Sequence, residues 1–365
     1  MNIEQQLKQL LKWGEGETFY SFANEDGKRW WMPVRHMSVA MNLYQPSGIK
    51  GKCLKRGLPW LYWNPIVRIV LHTERFQLAL GDNLRELLEN IFKERDLEFS
   101  VFGGTPSARQ KITIQLSKKN QILGYCKVTH NDKIYDLFKK ESNTLNKLNR
   151  LSVLNVPQSL FCGAFGDCFL FIQSTKKTCH SKIIHTWTDK HTDFLNGLYD
   201  KTKVNTNFKN TDFYSELCYL ESISNKLSKE EGELYSHAIS LLKSYYSNVN
   251  EYSLFHGDFT PWNMFFEKKE LCVFDFEYAQ WTFPPFLDKM HYLFQIWIIE
   301  QKKNSDQIYQ ILEDCKQDKT VIILVIAYLT HIIAFYMKLY NGQFDTHDNG
   351  YIIWSSLLQK YISLF

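Results

Sequence analysis

One stretch of the sequence, Leu254 to Ala279, constrains the fold more than any other. It reads LFHGDFTPWNMFFEKKELCVFDFEYA, in which polar residues stand between apolar runs. Asn263 follows Asp258 by five residues, and Asp275 comes twelve residues later, at the end of a run typical of a β-strand. The polar turn at 267–270 separates two apolar runs and predicts a hairpin. That hairpin is expected to bring Asn263 and Asp275 side by side.

The spacing of His256, Asp258 and Asn263 matches the H-x-D-x-x-x-x-N pattern of kinase catalytic loops. Phosphoryl transfer needs a carboxylate near the acceptor hydroxyl and oxygen ligands that hold Mg²⁺ on the phosphates. Because Mg²⁺ prefers hard oxygen ligands, one Asn and one Asp are suitable protein ligands. The alternative is a capped loop, with His256 as a buried core histidine and Asp258 as a turn residue.

HGDFTPWN and DFE in this stretch resemble the aminoglycoside phosphotransferase and choline kinase family, a branch of the protein-kinase-like fold. Members of that family carry H-G-D-x-x-x-x-N followed by D-x-E. The resemblance covers roughly residues 97–340 and is most specific in the C-terminal part. It implies that Asp258 is the catalytic base, that His256 braces the catalytic loop, and that Asn263 and Asp275 hold Mg²⁺.

The resemblance implies different roles for two acidic residues that follow Asp275. For Glu277 it leaves two roles open, a supporting residue beside the metal or a contact to a metal-bound water. Asp288 is similar to a structural residue of the family that caps a helix and braces the catalytic loop.

A kinase also needs a Lys on the third strand that pairs with a Glu of the following helix and holds the α- and β-phosphates. Lys127 ends the apolar run 122–128, and Glu141 lies fourteen residues later in a helical pattern at 131–151. The alternatives are an edge-strand lysine with its ammonium in solvent and a glutamate on a solvated helix face.

A glycine-containing turn, residues 103–109, separates the first two strands of this region. Gly103 and Gly104 allow close backbone approach, and Ser107 is small, so the turn is expected to cover phosphate groups. The nucleotide is expected to be ATP, with GTP left open, and the metal Mg²⁺.

A short β-rich part followed by a longer helical part predicts an α+β, bilobal protein-kinase-like fold. The expected parts are an N-terminal accessory region at 1–95, an antiparallel N-lobe sheet at 96–175 and a helical C-lobe at 176–365. Ser222 to Ser247 and Ser305 to Tyr340 are predicted as long helices. Val321 to Tyr340 is apolar enough for either a membrane span or a buried core helix.

Composition excludes some classes of protein. The formal net charge of +4 is small for 365 residues, so no nucleic-acid partner is expected. The cysteines form no C-x-x-C pair and indicate buried thiols in a reducing, cytoplasmic compartment: Cys53, Cys126, Cys162, Cys168, Cys179, Cys218, Cys272 and Cys315. The charged N-terminal helix pattern does not favour a secretory signal.

The acceptor is expected to be a small molecule, because no A-P-E motif follows Asp275 and little chain separates it from the next helix near Asp288. Sugars, glycoconjugates, amino alcohols and aminoglycosides fit this expectation. Two alternatives stay open. One is an inactive kinase-fold scaffold protein, and the other is a kinase acting on a membrane-bound glycolipid or polysaccharide.

Overall fold

The computed structural model describes residues 3–46, 48–107, 109–224, 226–313, 318–340 and 348–365. Ala108, in the glycine-containing turn, and Cys315 lie outside the described residues. The helices are α1 Ile3–Leu10, α2 Met37–Ala40, α3 Ile49–Leu61, α4 Pro65–Val70, α5 Asp82–Phe92, α6 Asp132–Arg150, α7 Asp189–Thr202, α8 Asp212–Ser224, α9 Lys229–Tyr246, α10 Leu287–Gln295, α11 Ser305–Ile311, α12 Lys319–Leu339 and α13 Asn349–Ile362. The strands are β1 Leu11–Ala23, β2 Arg29–Pro33, β3 Glu74–Leu80, β4 Glu98–Phe102, β5 Ile112–Lys118, β6 Gln121–Thr129, β7 Ser159–Phe165, β8 Cys168–Ser174, β9 Val204–Asn205, β10 Glu251–Phe255, β11 Met264–Glu267, β12 Glu270–Val273 and β13 Gln280–Phe283.

The chain divides into two compact units. Unit 1 comprises Met1–Arg150, Leu154–Ile183 and Phe265–Glu277, and unit 2 comprises Leu151–Val153, Ile184–Met264 and Tyr278–Phe365. Antiparallel strands in unit 1 and mainly helices in unit 2 confirm the predicted α+β class. The boundaries at 95 and 175 stay predictions.

Unit 1 is built on one eight-stranded sheet with the order β3-β1-β2-β4-β5-β6-β8-β7, in which neighbouring strands run antiparallel. The first 95 residues supply β1, β2 and β3. They join the remaining strands where Trp30 and Trp31 of β2 pair with Phe102 and Val101 of β4. The N-terminal region therefore extends the sheet that carries Lys127.

Unit 2 packs its helices around α12, whose residues from Ile322 to Met337 are largely buried in the apolar core. Among the described residues, α12 is the one helix long and apolar enough to cross a membrane, by length and composition alone. Of its most apolar 18-residue window, 72% is buried inside the protein, as in the core helix of a globular unit.

Both predicted long helices are interrupted, so these two predictions were wrong. The Ser222 to Ser247 pattern is divided between α8 and α9 because Ser228 begins a new helix. The Ser228 hydroxyl accepts the Glu231 amide, and the Glu231 carboxylate accepts the Ser228 amide. Together these two bonds form a capping box. The Ser305 to Tyr340 pattern is divided between α11 and α12, and Asp318 caps α12 by accepting the Thr320 amide at 2.9 Å.

Candidate active site

The HGD segment follows the buried strand β10 in unit 2. Gly257 has a φ of +83°, a conformation that L side chains rarely adopt, and a Cβ at this position would lie 2.7 Å from the Tyr278 carbonyl oxygen. Glycine is therefore required between His256 and Asp258 for steric reasons. Pro261 then begins a short 3-10 helix that ends at Asn263.

The Asp258 side chain is fixed by neighbours from its own loop. The Asn263 amide nitrogen donates to Asp258 Oδ2 at 2.7 Å and to the Asp258 carbonyl oxygen at 3.0 Å. The Asp258 amide donates to Nδ1 of the fully buried His256 at 3.1 Å. Since Nδ1 accepts this bond, a neutral His256 ring carries its hydrogen on Nε2. His256 thus braces the loop, while the Asp258 side chain stays 31% exposed and accessible to a substrate.

Asp288 holds the same loop from α10. Its carboxylate accepts the backbone amides of His256 at 2.8 Å and Gly257 at 3.2 Å. The expected bracing is present, but these bonds go to the catalytic loop, while the N-cap of α10 is Phe286, which makes no side-chain cap bond. Burial raises the pKa of Asp288 to about 7, against the lowering effect of the two amides.

His291 was missed in the sequence analysis. It lies three residues after Asp288 on α10, and its Nε2 is 3.3 Å from Asp258 Oδ1. His291 is 4% exposed, so its ring approaches the half-buried Asp258 carboxylate from the interior of the unit. The sequence signal was the spacing of Asp288 and His291, which places both side chains on one face of the helix.

In unit 1, Lys127 of β6 lies between two carboxylates. Its ammonium is 2.7 Å from Glu141 Oε2 of α6 and 2.7 Å from Asp275 Oδ1. The Lys127 side chain is 7% exposed and Glu141 is fully buried, which rules out the solvent-exposed alternatives for both. Asp275 has a φ of +70°, uncommon for a residue other than glycine. Such strain is typical of functional sites.

A second, partly buried ion pair joins this cluster. Lys111, the residue before β5, lies 2.5 Å from Glu277 Oε2, and the Glu277 side chain is 8% exposed. No role was predicted for Lys111 from the sequence. The sequence feature that could have indicated a role for Lys111 is a lysine at the start of a strand, next to the glycine-containing turn.

The charges of this cluster affect one another strongly. Burial raises the pKa of Glu141 to about 7, although Lys127 opposes the shift. Burial lowers the pKa of Lys127 and Lys111, but the charges of Asp275 and its neighbouring carboxylates outweigh this and raise both pKa values. Both lysines therefore stay protonated, so the cluster has an excess of negative charge only when Glu141 is ionised together with Asp275 and Glu277.

The carboxylates of this cluster fit a hard divalent cation. Glu141, Asp275 and Glu277 each offer an oxygen atom, and these atoms lie within 4.8 Å of one another. Mg²⁺ is bound by such oxygen ligands together with water and phosphate. Asn263, the other predicted ligand, belongs to unit 2 and directs its amide nitrogen toward Asp258. The predicted hairpin that follows it is present as the two-stranded sheet of β11 and β12.

The glycine-containing turn connects β4 and β5, as predicted, but the backbone amide of Gly103 is not available to a phosphate. Its amide donates to the Arg29 carbonyl oxygen of β2 at 2.8 Å, because the N-terminal strands occupy this edge of the turn. Gly104 has a φ of +81° and no room for a side chain, since a Cβ would lie 2.3 Å from the Lys111 carbonyl oxygen. The Ser107 hydroxyl accepts the Arg109 amide at 3.2 Å.

Comparison with known proteins agrees with this geometry. Residues 228–293, which contain the catalytic loop, Asp275 and Asp288, match the phosphotransferase enzyme family. No curated protein matches the chain in sequence.

Solved structures share the fold at low sequence identity. A thermostable mutant of the aminoglycoside phosphotransferase APH(4)-Ia, solved as a ternary complex with ADP and hygromycin B, has a TM-score of 0.52 and 10% identity and covers 77% of this chain and 98% of its own. Its apo form has a TM-score of 0.50 and 10% identity, covering 76% and 98%. The choline kinase LicA from Streptococcus pneumoniae has a TM-score of 0.49 and 14% identity, covering 78% and 98%. The match over residues 228–293 and the fold shared with the two APH(4)-Ia structures confirm the predicted resemblance to the aminoglycoside phosphotransferase family.

Proposed function

We propose that this chain transfers the γ-phosphate of ATP, bound with Mg²⁺, to a hydroxyl group of a small molecule. The observation that carries the proposal is the position of Lys127, buried and 2.7 Å from both Glu141 and Asp275. A buried lysine costs free energy unless it is paired, and two carboxylates hold this one charged. A fixed cation of this kind suits the α- and β-phosphates of a nucleotide.

Asp258 is proposed to act as the base. The acceptor hydroxyl oxygen bonds to the γ-phosphorus, the bond from that phosphorus to the β,γ-bridging oxygen breaks, and ADP leaves. The hydroxyl proton passes to the Asp258 carboxylate, whose orientation is fixed by Asn263 at 2.7 Å and His291 at 3.3 Å. The charge on the leaving ADP oxygens is balanced in part by Lys127 and Lys111.

Asp275, with Asn263, is proposed to hold Mg²⁺, and the geometry adds Glu277 as a further candidate ligand. When bound, the metal neutralises phosphate charge and orients the transferred group. The three closely spaced carboxylates support this assignment, because a divalent cation makes the cluster net positive toward phosphates.

The short connection between Asp275 and α10 supports a small-molecule acceptor. Only the 3-10 helix Phe276–Tyr278 and β13 stand between Asp275 and α10 at Leu287, which leaves no segment for docking a peptide.

Within unit 2, the half-buried Trp187 packs on His191 and Tyr292 at ring distances of 5.0 and 5.1 Å. Phe259 of the catalytic loop lies 6.3 Å from Trp187, and of these four rings only Trp187 is exposed enough to stack on a sugar. We favour a sugar or glycoconjugate over an amino alcohol or aminoglycoside.

The test combines nucleotide binding with product formation. ATP and GTP are titrated with and without Mg²⁺, and ADP release is then measured with a panel of sugars, amino alcohols and aminoglycosides. We expect Mg²⁺-dependent ATP binding and ADP release with at least one acceptor. Asp258→Asn should lower turnover about 10²- to 10⁴-fold and leave ATP binding unchanged. Asp193→Asn, an exposed change on α7, is the control.

The outcome also separates this proposal from a catalytically inactive scaffold. ATP binding without phosphorylated product for any acceptor would favour the scaffold. Equal turnover by the wild type and Asp258→Asn would show that Asp258 is not the base.

A further inference from the structure

Helices α3 and α4 in the N-terminal region of unit 1 are apolar on two faces. One face packs against the aromatic cluster of β1, β2 and α2 through Leu54, Leu58, Tyr62, Val67 and Leu71. This face holds the two helices on the sheet. The fold therefore gives no reason for a second apolar face.

The second face is exposed to solvent. Its largest side chains are between 65% and 81% exposed: Ile49, Trp60, Trp63, Ile66, Ile69 and Val70. On α4 the last three occupy positions i, i+3 and i+4 and form one continuous stripe. Apolar residues grouped in this way mark an interaction site, whereas scattered ones do not.

The charged residues within the segment that carries this apolar face have one sign. Between Ile49 and Thr73 the sequence contains the cations Lys50, Lys52, Lys55, Arg56 and Arg68, and no Asp or Glu. Lys50, Lys52 and Arg56 are exposed, so their charges are available to a partner. Such a segment is complementary to an anionic surface.

A groove beside α4 continues the same chemistry. It has a volume of about 530 Å³, and its lining includes Arg68, Ile69, His72 and Arg75 but no acidic residue. The Arg68 guanidinium donates to the Tyr20 hydroxyl at 3.0 Å, which fixes it at the wall of the groove. Ile69 belongs to both the groove and the exposed stripe, so cationic and apolar groups are contiguous.

We propose that α3 and α4 dock on an anionic membrane surface. In this arrangement Trp60, Trp63 and the stripe of α4 enter the interfacial layer, where tryptophan side chains are favoured. Exposed lysines and arginines contact lipid phosphates, and the groove accepts one headgroup. This surface lies outside the catalytic residues, so the proposal goes beyond the phosphotransferase function and does not depend on the acceptor.

Two other occupants fit less well. A second copy of the chain, docked by a two-fold axis, would place this cationic patch against itself, which is unfavourable. A nucleic acid would stack on Trp60 and Trp63, but the aliphatic stripe of Ile66, Ile69 and Val70 would find no partner on it, whereas the interfacial layer of a membrane accommodates both groups.

The test is flotation of the full chain with lipid vesicles. Vesicles of phosphatidylcholine alone are compared with vesicles that also contain phosphatidylglycerol, at low and high salt. We expect binding to the anionic vesicles only, weakened by salt. Lys52→Gln and Arg56→Gln should each lower the partition coefficient about fivefold. Trp60→Gln with Ile69→Gln should lower it further at either salt concentration.

Matched controls are Leu154→Gln, which changes a side chain 74% exposed outside the patch, and Lys201→Gln on α7. Both should bind vesicles like the wild type, and ATP binding by every variant reports that unit 1 is folded. Equal binding to neutral and anionic vesicles would overturn the proposal, as would patch variants that bind like the wild type. Absence of vesicle binding, with self-association or nucleic-acid binding that Trp60→Gln abolishes, would assign the patch to that partner instead.

Discussion

The Lys127 ammonium lies 2.7 Å from the Asp275 carboxylate, although 148 residues separate them in the sequence. This contact joins the strand proposed to hold the nucleotide phosphates to the residue proposed to hold the metal. Because Glu141 is at the same distance from Lys127, the lysine has a carboxylate on two sides, and that of Glu141 is fully buried. Neither carboxylate can be removed without changing the electrostatics of the whole cluster.

Lys127→Met should destabilise the protein by about 3–5 kcal/mol, because it leaves the fully buried Glu141 without its cation. The double variant Lys127→Met/Glu141→Gln should recover much of this stability, since it removes both charges. Urea unfolding measures the free energy, and ATP titration measures binding. ATP binding should remain lost in the double variant. Recovery of ATP binding there would show that Lys127 has only a structural role.

Gly257→Ala should abolish phosphotransfer and destabilise the protein strongly, because the new Cβ would lie 2.7 Å from the Tyr278 carbonyl oxygen. Gly166→Ala is the matched control: its φ of +54° is also positive, but no atom lies within 4 Å of the new Cβ. The control should cost only about 1 kcal/mol. Thermal unfolding and ADP release measure both effects. Similar losses for the two variants would mean that the close approach at Gly257 is not the constraint.

Asp288 predicts a pH dependence of stability. Burial raises its folded-state pKa from the ordinary 3.8 to about 7, so the folded protein binds this proton more tightly than the unfolded chain does. Its stabilising contribution is therefore fully present below about pH 4 and is lost as the pH rises through 7. Asp288→Asn removes the titration. The free energy of unfolding of the wild type, relative to the variant, should fall between pH 4 and 7, and a constant difference would contradict the assignment.

Asp275→Asn should raise the Mg²⁺ concentration needed for half-maximal activity, because an amide is a weaker ligand than a carboxylate. Glu277→Gln should have the same direction of effect if Glu277 also contacts the metal or its water. Activity at increasing Mg²⁺, at saturating ATP, measures both. Lys118 lies at the opposite end of β5 from Lys111, which pairs with Glu277. Lys118→Gln should therefore leave the Mg²⁺ dependence unchanged.

The catalytic segment could be predicted from sequence because its chemistry needs fixed residue types at fixed spacing. His256, Asp258, Asn263 and Asp275 lie within twenty residues of one another, so local pattern was sufficient to find them. Lys127 and Glu141 followed from the same logic, applied to a strand and the helix after it.

Long-range contacts were not predictable in this way. Lys111 meets Glu277 across 166 residues, and no local pattern in β5 signals the partner. The amide of Gly103 is taken by Arg29, which no property of the turn itself reveals. The break between α8 and α9 was a misjudgement of a visible signal, since Ser228 and Glu231 form a recognisable capping box.

The most direct test of the phosphotransferase account uses ATP labelled at the γ-phosphate and a mixture of small molecules extracted from cells. The wild type should transfer label to a soluble, non-protein compound in a Mg²⁺-dependent reaction, and Asp258→Asn should not. Label found only on protein, or equal labelling of a small molecule by the wild type and the variant, would contradict the account.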